Sequence, residues 1–396
     1  DLCTGTRTVG EIVTYLCQQT HEPPGKMADS VDRILKILQE KDLITMQSCP
    51  SDGPRAKEIT VKYPLESAQI EITNRCNLSC LHCVNNSGKC SPDELTTEEI
   101  FSLLDTLSSM GATRILLTGG EPLMHPDLFR IVEHARREPM SVDIFTNGTL
   151  VTEEHVEKFR NLGVNGFLTS IDSNSEQVHD TFRGQEGALK KTLNAVRLLR
   201  EGGFPVSVNL SIVQLNKDHF IDILGFFREL DITDYKIAPV KFSGRGVEGI
   251  AVSPEEFYSI LLEQFHYFER EFPGHKVPKT FLKPEGGCGI AQDNLLIKAD
   301  GTVLPCHGCI REMGVGNIRN TDLTELWETN EMLESLRAMR VEDDDECFGC
   351  RYVSFCDGCI ANAFIIKRKI QCRDLYTCAH YRAYEEVFGL GTGIVE

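Results

Sequence analysis

The sequence predicts an α/β protein built on a parallel barrel or open sheet, and three observations carry that expectation. Between residues 67 and 280, strand-like runs alternate six times with amphipathic helical stretches, as parallel strands joined by crossover helices would. Residues 1–48 carry two apolar stripes at helical spacing, a winged-helix pattern. Residues 281–396 gather cysteines at short gaps. The expected organisation is a winged-helix-like unit at 1–48, a linker at 49–66, the α/β body at 67–280 and a cysteine-rich domain at 281–396.

In the first unit, Thr8 and Glu11 form a T-x-x-E capping box, and Val9, Ile12, Val13 and Leu16 follow at helical spacing. Pro23-Pro24-Gly25 reads as a turn. A second stripe follows at Val31, Ile34, Leu35 and Leu38 and ends in a short apolar wing, Leu43-Ile44. The linker holds Pro50, Asp52-Gly53-Pro54 and Pro64, with one short strand expected over 58–61. Strands are then expected over 68–73, 114–118, 141–146, 166–171, 205–213 and 235–240. The first intervening helix opens at Thr96, with Glu99 as capping partner, and buries Ile100, Leu103, Leu104 and Leu107. A later helix has Ser253 as N-cap, Pro254 at its first position and Glu256 at N3. Its aromatics, Phe257, Tyr258, Phe265, Tyr267 and Phe268, read as core. Chemistry in such sheets sits on the loops after the strand C-termini.

Composition narrows the function classes. With 396 residues, 41% hydrophobic and 25% charged, the chain can bury a sizeable core as a globular protein. It has neither an eighteen-residue apolar run nor a signal-peptide pattern, so a cytoplasmic protein without a membrane partner is expected. A net charge of −18 argues against a nucleic-acid surface, and the short run Lys367-Arg368-Lys369 reads as a solvated helix face. The sixteen cysteines cluster as metal ligands do, which implies a reducing compartment. Cys3, Cys17, Cys49 and Cys90 show no ligand spacing.

The centre of the chain is Asn74 to Asn85, N-R-C-N-L-S-C-L-H-C-V-N, which sets Cys76, Cys80 and Cys83 at C-x3-C-x2-C spacing. Three thiolates suit a four-iron, four-sulfide cube with one iron left open, while a zinc knuckle would ordinarily take a fourth ligand. The stretch closely resembles the cluster motif of the radical S-adenosylmethionine (SAM) enzymes. That resemblance implies a partial (β/α)6 TIM-like barrel, with SAM bound through its amino and carboxylate groups to the open iron. Thr118-Gly119-Gly120-Glu121-Pro122 resembles the family's G-G-E-P element, so Gly119, Gly120, Glu121 and Pro122 are expected to receive the SAM amino group. By the same resemblance Ser170 and Arg183 face the SAM carboxylate or ribose. Asp172, before His179-Asp180, and Asn147, in Thr146-Asn147-Gly148, are further SAM-site candidates that could equally cap their loops. Asn209 and Leu215 are expected near the adenine.

Later, Cys288 precedes Gly301-Thr302-Val303-Leu304-Pro305-Cys306, and Cys347, Cys350, Cys356 and Cys359 follow at C-x2-C-x5-C-x2-C, then Cys372 and Cys378. This is similar to the SPASM domain of peptide-modifying radical SAM enzymes, which carries two auxiliary four-iron clusters. The family usually has three residues before the next cysteine, and here Asp357-Gly358 supplies two. The resemblance implies a first auxiliary cluster on Cys288, Cys306 and Cys359, its fourth position open or filled by Cys309. A second would use Cys347, Cys350, Cys356 and Cys378, with Cys372 competing for the last place. A zinc ribbon could use Cys347 to Cys359 alone, leaving Cys288, Cys306 and Cys378 unexplained.

The first unit is similar to the peptide-recognition element that binds precursor leaders by strand addition; a generic helical cap is the alternative. Together these resemblances imply a maturase of a ribosomally made peptide, with three [4Fe–4S] clusters and SAM. It would form a thioether or carbon–carbon crosslink through a 5'-deoxyadenosyl radical. Its partners would be a leader-bearing precursor and an external one-electron reductant. A radical SAM enzyme for a small molecule, such as a haem-pathway tetrapyrrole, shares these motifs; a noncatalytic iron–sulfur or zinc scaffold would not explain G-G-E-P. His307 and Asp357 are possible bases.

Overall fold

The computed structural model describes residues 7–20, 22–40, 59, 61–240, 242–246, 248–272, 288–340, 346–353, 356, 358–370 and 373–389. The chain divides into two compact units, Asp1–Thr60 and Val61–Glu396.

The described residues of the first unit form a helix pair, α1 (Val9–Thr20) and α2 (Pro24–Glu40). The Thr8–Glu11 capping box forms, with Thr8 N–H donating to the Glu11 carboxylate at 2.7 Å and Glu11 N–H to Thr8 Oγ1 at 3.2 Å. The expected turn at Pro23-Pro24-Gly25 is shorter than the sequence suggested. Pro24 opens α2, because proline has no N–H to lose in the first turn and its φ already suits a helix. Ile12, Val31 and Leu35 form the small core. Ile34, assigned to the same stripe, is 56% exposed: Val31 and Leu35, four residues apart, define the packed face and turn Ile34 away. The wing at Leu43-Ile44 and residues 58 and 60 of the strand expected over 58–61 lie outside the described residues, and Ile59 and Val61 are in no strand.

The second unit runs β1 (Ser67–Thr73), α3 (Thr97–Ser109), β2 (Arg114–Gly119), α4 (Leu128–Arg137), β3 (Ser141–Phe145), α5 (Glu153–Leu162), β4 (Gly166–Ser170), α6 (Glu176–Arg183), α7 (Ala188–Glu201), β5 (Val206–Ile212), α8 (Phe220–Glu229), β6 (Tyr235–Pro239) and α9 (Pro254–Glu271). It continues with β7 (Asn294–Ile297), β8 (Thr302–Leu304), β9 (Gly316–Asn317), α10 (Leu323–Thr329), α11 (Glu331–Ala338), α12 (Ile360–Lys367) and α13 (Leu375–Phe388). Strands β1 to β6 pair in parallel and in chain order, an open partial barrel. Their observed limits differ from those expected by no more than a residue or so at each end.

The period-two alternation of the strands separates two faces. Val206, Val208, Leu210 and Ile212 of β5 are buried in the main core, as are Ile115 and Leu117 of β2 and Val142 and Ile144 of β3. Each such side chain contributes roughly 1.5–3 kcal/mol on burial. The alternate residues, Leu116, Asp143, Phe145, Ser207, Asn209 and Ser211, are half-buried on the opposite, concave face. The capping boxes at Thr96–Glu99 and Ser253–Glu256 both form.

Among the described residues the sheet grows from six strands to nine. β7 adds in parallel to the free edge of β1, and β8 and β9 follow antiparallel, so the cysteine-rich region begins as an extension of the barrel sheet. Strands of two to four residues carry too little periodicity to be seen in sequence. At the far end α13 packs on α9, with Phe265 edge-on to Tyr384 at 6.0 Å and to Phe388 at 5.4 Å. Lys367 pairs with Glu346 at 2.7 Å, and Arg368 caps α12 in the left-handed region. Among the described residues, no helix is long and apolar enough to cross a membrane.

Candidate active site

Strand β1 ends at Thr73 and the chain enters the cysteine loop, 74–88. The loop closes on itself: Cys76 N–H donates to Gly88 C=O at 3.0 Å, and Gly88 N–H to Asn74 C=O at 3.0 Å. The C-terminal end of α6 fixes a second side, where Ser79 N–H donates to Arg183 C=O at 3.2 Å and Leu81 N–H to Phe182 C=O at 2.9 Å. The loop after β6 fixes a third. There Arg245 N–H donates to Cys83 C=O at 2.9 Å, Arg245 Nε to Cys80 C=O at 2.8 Å and Nη1 to Ser87 C=O at 2.8 Å.

Two glycines permit these approaches. A Cβ on Gly120 would stand 2.1 Å from Arg75 C=O, and one on Gly244, at φ +60°, would stand 2.3 Å from the carbonyls of both Cys83 and Val84. The Gly119-Gly120 turn is thus bolted to the loop, with Gly120 N–H donating to Thr73 C=O and Glu121 N–H to Arg75 C=O, each at 2.7 Å.

Inside this frame the three thiols converge. Burial pushes Cys76 up to about 11, and neighbouring Cys80 and Cys83 add to the rise. Burial also raises Cys80, against the pull of Arg183, whose Nη1 lies 3.9 Å from its sulfur. Ser87 N–H donates to Cys83 Sγ at 3.3 Å. Three crowded sulfurs, two of them, Cys76 and Cys80, held up in pKa by burial, are a donor set that a cationic iron–sulfur core would compensate, so the residues fit the cluster.

Around them, Arg183 is held by Asp172, with Nε donating to Oδ2 at 2.7 Å and Nη2 standing 2.5 Å from it. Burial would raise the Asp172 carboxyl, but Arg183 and the neighbouring histidines outweigh that and hold it low. The Asp172–Arg183 pair thus aims a fixed cation at Cys80. Glu121 is fully buried; its carboxylate accepts from Thr146 Oγ1 at 2.7 Å, Asn147 N–H at 2.8 Å and Leu123 N–H at 3.1 Å. Burial pushes it up to about 7 despite these donors. Pro122 is buried in the turn that Glu121 caps. Asn147 links loops: Nδ2 donates to Asn77 Oδ1 at 3.1 Å, and Oδ1 accepts from Thr149 N–H at 2.9 Å. Ser170, at the end of β4, stands opposite Asn209. Asn209 Oδ1 and Ser207 Oγ on the concave face are buried without a protein partner, as atoms that await a ligand would be. Leu215 lies 44% exposed on the turn after β5, and nothing draws it to the cysteines. Sequence reasoning missed Gly244 and Arg245; Ser243-Gly244-Arg245-Gly246 after the sixth strand was the available signal.

The auxiliary cysteines form two groups. Cys306 and Cys309 hold their sulfurs 3.8 Å apart on the turn after β8, and Gly308 N–H donates to Cys306 Sγ at 3.1 Å. Burial pushes Cys359 up to about 12, with Cys288 and Cys306 adding to the rise. Cys309, expected from the sequence as one candidate for the fourth position of the first auxiliary site, thus stands directly beside Cys306. In the second group Arg373 Nε donates to Cys378 Sγ at 3.0 Å, with Cys347 and Cys350 also acting on Arg373. Cys356 lies one turn beyond, its N–H donating to Tyr352 C=O at 2.8 Å. Cys372 and Asp357 lie outside the described residues. No three His, Cys, Asp or Glu side chains among the described residues stand within reach of a single ion.

The chain matches the radical SAM superfamily over residues 70–227 and the SPASM iron–sulfur cluster-binding domain over residues 288–351. It is 32% identical over 320 residues to an AdoMet-dependent haem synthase of Methanosarcina barkeri, covering 74% of this chain and 90% of that protein. It is 25% identical over 373 residues to the antilisterial bacteriocin subtilosin biosynthesis protein AlbA of Bacillus subtilis, covering 90% of this chain and 81% of that one. In structure it resembles native anSMEcpe with bound AdoMet and Cp18Cys peptide, with a TM-score of 0.66 at 19% identity over 82% of this chain and 96% of that chain. SAM and [4Fe–4S] clusters, auxiliary ones included, follow from these two domains. The chain is an enzyme of the radical SAM superfamily, in the branch that carries a SPASM domain.

Proposed function

We propose that this enzyme matures a ribosomally made peptide, capturing its leader on the first unit and closing a thioether or carbon–carbon crosslink. One observation carries the reading. The similarity to the haem synthase covers 74% of the chain and can lie wholly within Val61–Glu396, whereas that to the bacteriocin maturation protein covers 90% and has to enter the first unit. Leader capture by strand addition needs a sheet edge beside such helices, and the described residues of the first unit supply the helix pair α1 and α2.

When bound, SAM and its cluster would supply the hydrogen-abstracting chemistry, and auxiliary clusters held by the C-terminal cysteines would supply an acceptor for the electron that a crosslink releases. Cys76, Cys80 and Cys83 hold the first cluster, Asp172 fixes Arg183 beside it, and Asn209 and Ser207 offer hydrogen bonds on the concave face. An external one-electron reductant completes the cycle. The chain's part is to place one substrate carbon and exclude water. A second reading, a haem-pathway tetrapyrrole substrate, is favoured by the 32% identity over 90% of the haem synthase.

The test is co-expression with a leader-bearing precursor peptide, should one be encoded beside this chain, and mass spectrometry of the product. Loss of two hydrogens per crosslink is expected. Ile34→Glu with Ile37→Glu, on the exposed face of α2, should cut modification at least about tenfold and leave SAM cleavage intact. An unmodified precursor, together with turnover of an added iron porphyrin, would replace this reading with the second.

A further inference from the structure

A cavity of about 330 Å³ opens between the loop that carries Cys83 and the turn that carries Cys309. Its floor is a buried charge pair. Ile297 pairs with Ile70 across β7 and β1, so the next residues, Lys298 and Glu71, stand side by side on the concave face. Lys298 Nζ donates to Glu71 at 3.0 Å and to Asn85 Oδ1, while Asn85 Nδ2 donates to Glu71 Oε1 at 2.8 Å. The side chains of Lys298 and Glu71 are only 10% and 6% exposed, so this triad is a rigid, neutralised base. At the rim Arg311 pairs with Asp300, and Asp93 is exposed.

The charges in the lining therefore cancel twice, Lys298 against Glu71 and Arg311 against Asp300, and Asp93 leaves one negative charge over. A carboxylate entering here would find both cations engaged and three carboxylates near it. A backbone amide or an ammonium group would find acceptors. The volume lies at the lower end for ligand cavities, suited to one or two residues rather than a flat macrocycle with acidic arms.

We propose that this cavity receives a neutral or cationic stretch of substrate, a peptide segment bearing lysine or arginine, with Asp93 as the selecting charge above the Lys298–Glu71–Asn85 floor. It rests on the peptide reading above and specifies which part of a peptide the site prefers.

The probes are acetyl-Gly-Lys-Gly-amide and acetyl-Gly-Glu-Gly-amide, titrated by saturation-transfer NMR into the reconstituted full chain with SAM at low salt. The lysine probe should bind at least about fivefold more tightly. Asp93→Asn should erase most of that preference and Asp93→Lys reverse it. Glu157→Gln, an exposed acid on α5, should leave it unchanged and so control for the overall charge of −18. Equal binding of the two probes, a preference that survives in both Asp93 variants, or one lost equally in Glu157→Gln would overturn the assignment. If the precursor is still crosslinked in that case, the cavity assignment falls alone; if no peptide is modified at all, the peptide reading falls.

Discussion

The loop around Cys76, Cys80 and Cys83 and the group of Cys347, Cys350, Cys356 and Cys378 are held in different ways. In the first, backbone bonds cross long stretches of sequence, Ser79 to Arg183, Leu81 to Phe182 and Arg245 to Cys83. In the second, the N–H groups of Cys350, Val353 and Cys356 bond three or four residues back, to Cys347, Cys350 and Tyr352. Side chains tie that segment to α13: Tyr352 Oη donates to Glu385 at 2.5 Å, and the Tyr352 and Tyr381 rings stack at 5.9 Å. Local turns shape each cysteine pair but leave its distance from Cys378 to side chains and metal. Among the described residues, then, the barrel preorganises the loop of Cys76, Cys80 and Cys83, whereas the second group is expected to need bound iron for its assembly.

Glycine substitutions break this comparison most sharply. Gly120→Ala or Gly244→Ala drives a methyl into backbone carbonyls 2.1–2.3 Å away, those of Arg75, Cys83 and Val84, and none of the three can move without the cysteine loop. SAM cleavage should fall by at least about a hundredfold, with iron content down by about a third as the first of three clusters is lost. Gly349→Ala, between Cys347 and Cys350 at φ +74° with nothing within 4 Å, should cost only about 1 kcal/mol in thermal unfolding and leave SAM cleavage unchanged.

A smaller effect comes from pH, through two buried groups beside the first site. Burial holds His179 down to about 4, so the unfolded chain binds its proton more readily below about 6.5. Its contribution is complete above that pH and is lost, by about 3 kcal/mol, as pH falls through about 4. Glu121, pushed up to about 7, has the opposite sign: the folded chain holds its proton, and that contribution is lost as pH rises from about 4.5 through 7. The two oppose each other between about 4.5 and 6.5. His179→Gln should make stability fall more steeply with rising pH in that window than in the parent, and Glu121→Gln should make it rise. Chemical denaturation at closely spaced pH values reads both, and parallel curves for the two variants would contradict the assigned burial.

The sequence made the periodic parts of this molecule legible. Strands β1 to β6 announce themselves because Val206, Val208, Leu210 and Ile212, for example, alternate with polar residues. The cysteine and G-G-E-P motifs were legible because their chemistry is local in sequence. Arg245 and Gly244 were not, since their meaning is a contact with Cys80 and Cys83 some 160 residues earlier, and a lone S-G-R-G carries no period. Glu121 shows a related limit. The motif marked it as a SAM contact, and the structure adds that its carboxylate already serves Thr146, Asn147 and Leu123. Cys309 was legible only as a candidate for an otherwise open fourth position, and the structure sets its sulfur 3.8 Å from that of Cys306.

Hydrogen exchange of the full chain with and without iron, both under anaerobic conditions, tests the central claim most directly. In the iron-free chain the amides of Cys76, Ser79, Leu81, Cys83 and Arg245 should stay protected, while those of Cys350, Val353 and Cys356 should exchange far faster than in the iron-loaded chain. If the amides of loop 74–88 lose protection together with those around Cys350, the barrel does not preorganise the SAM site.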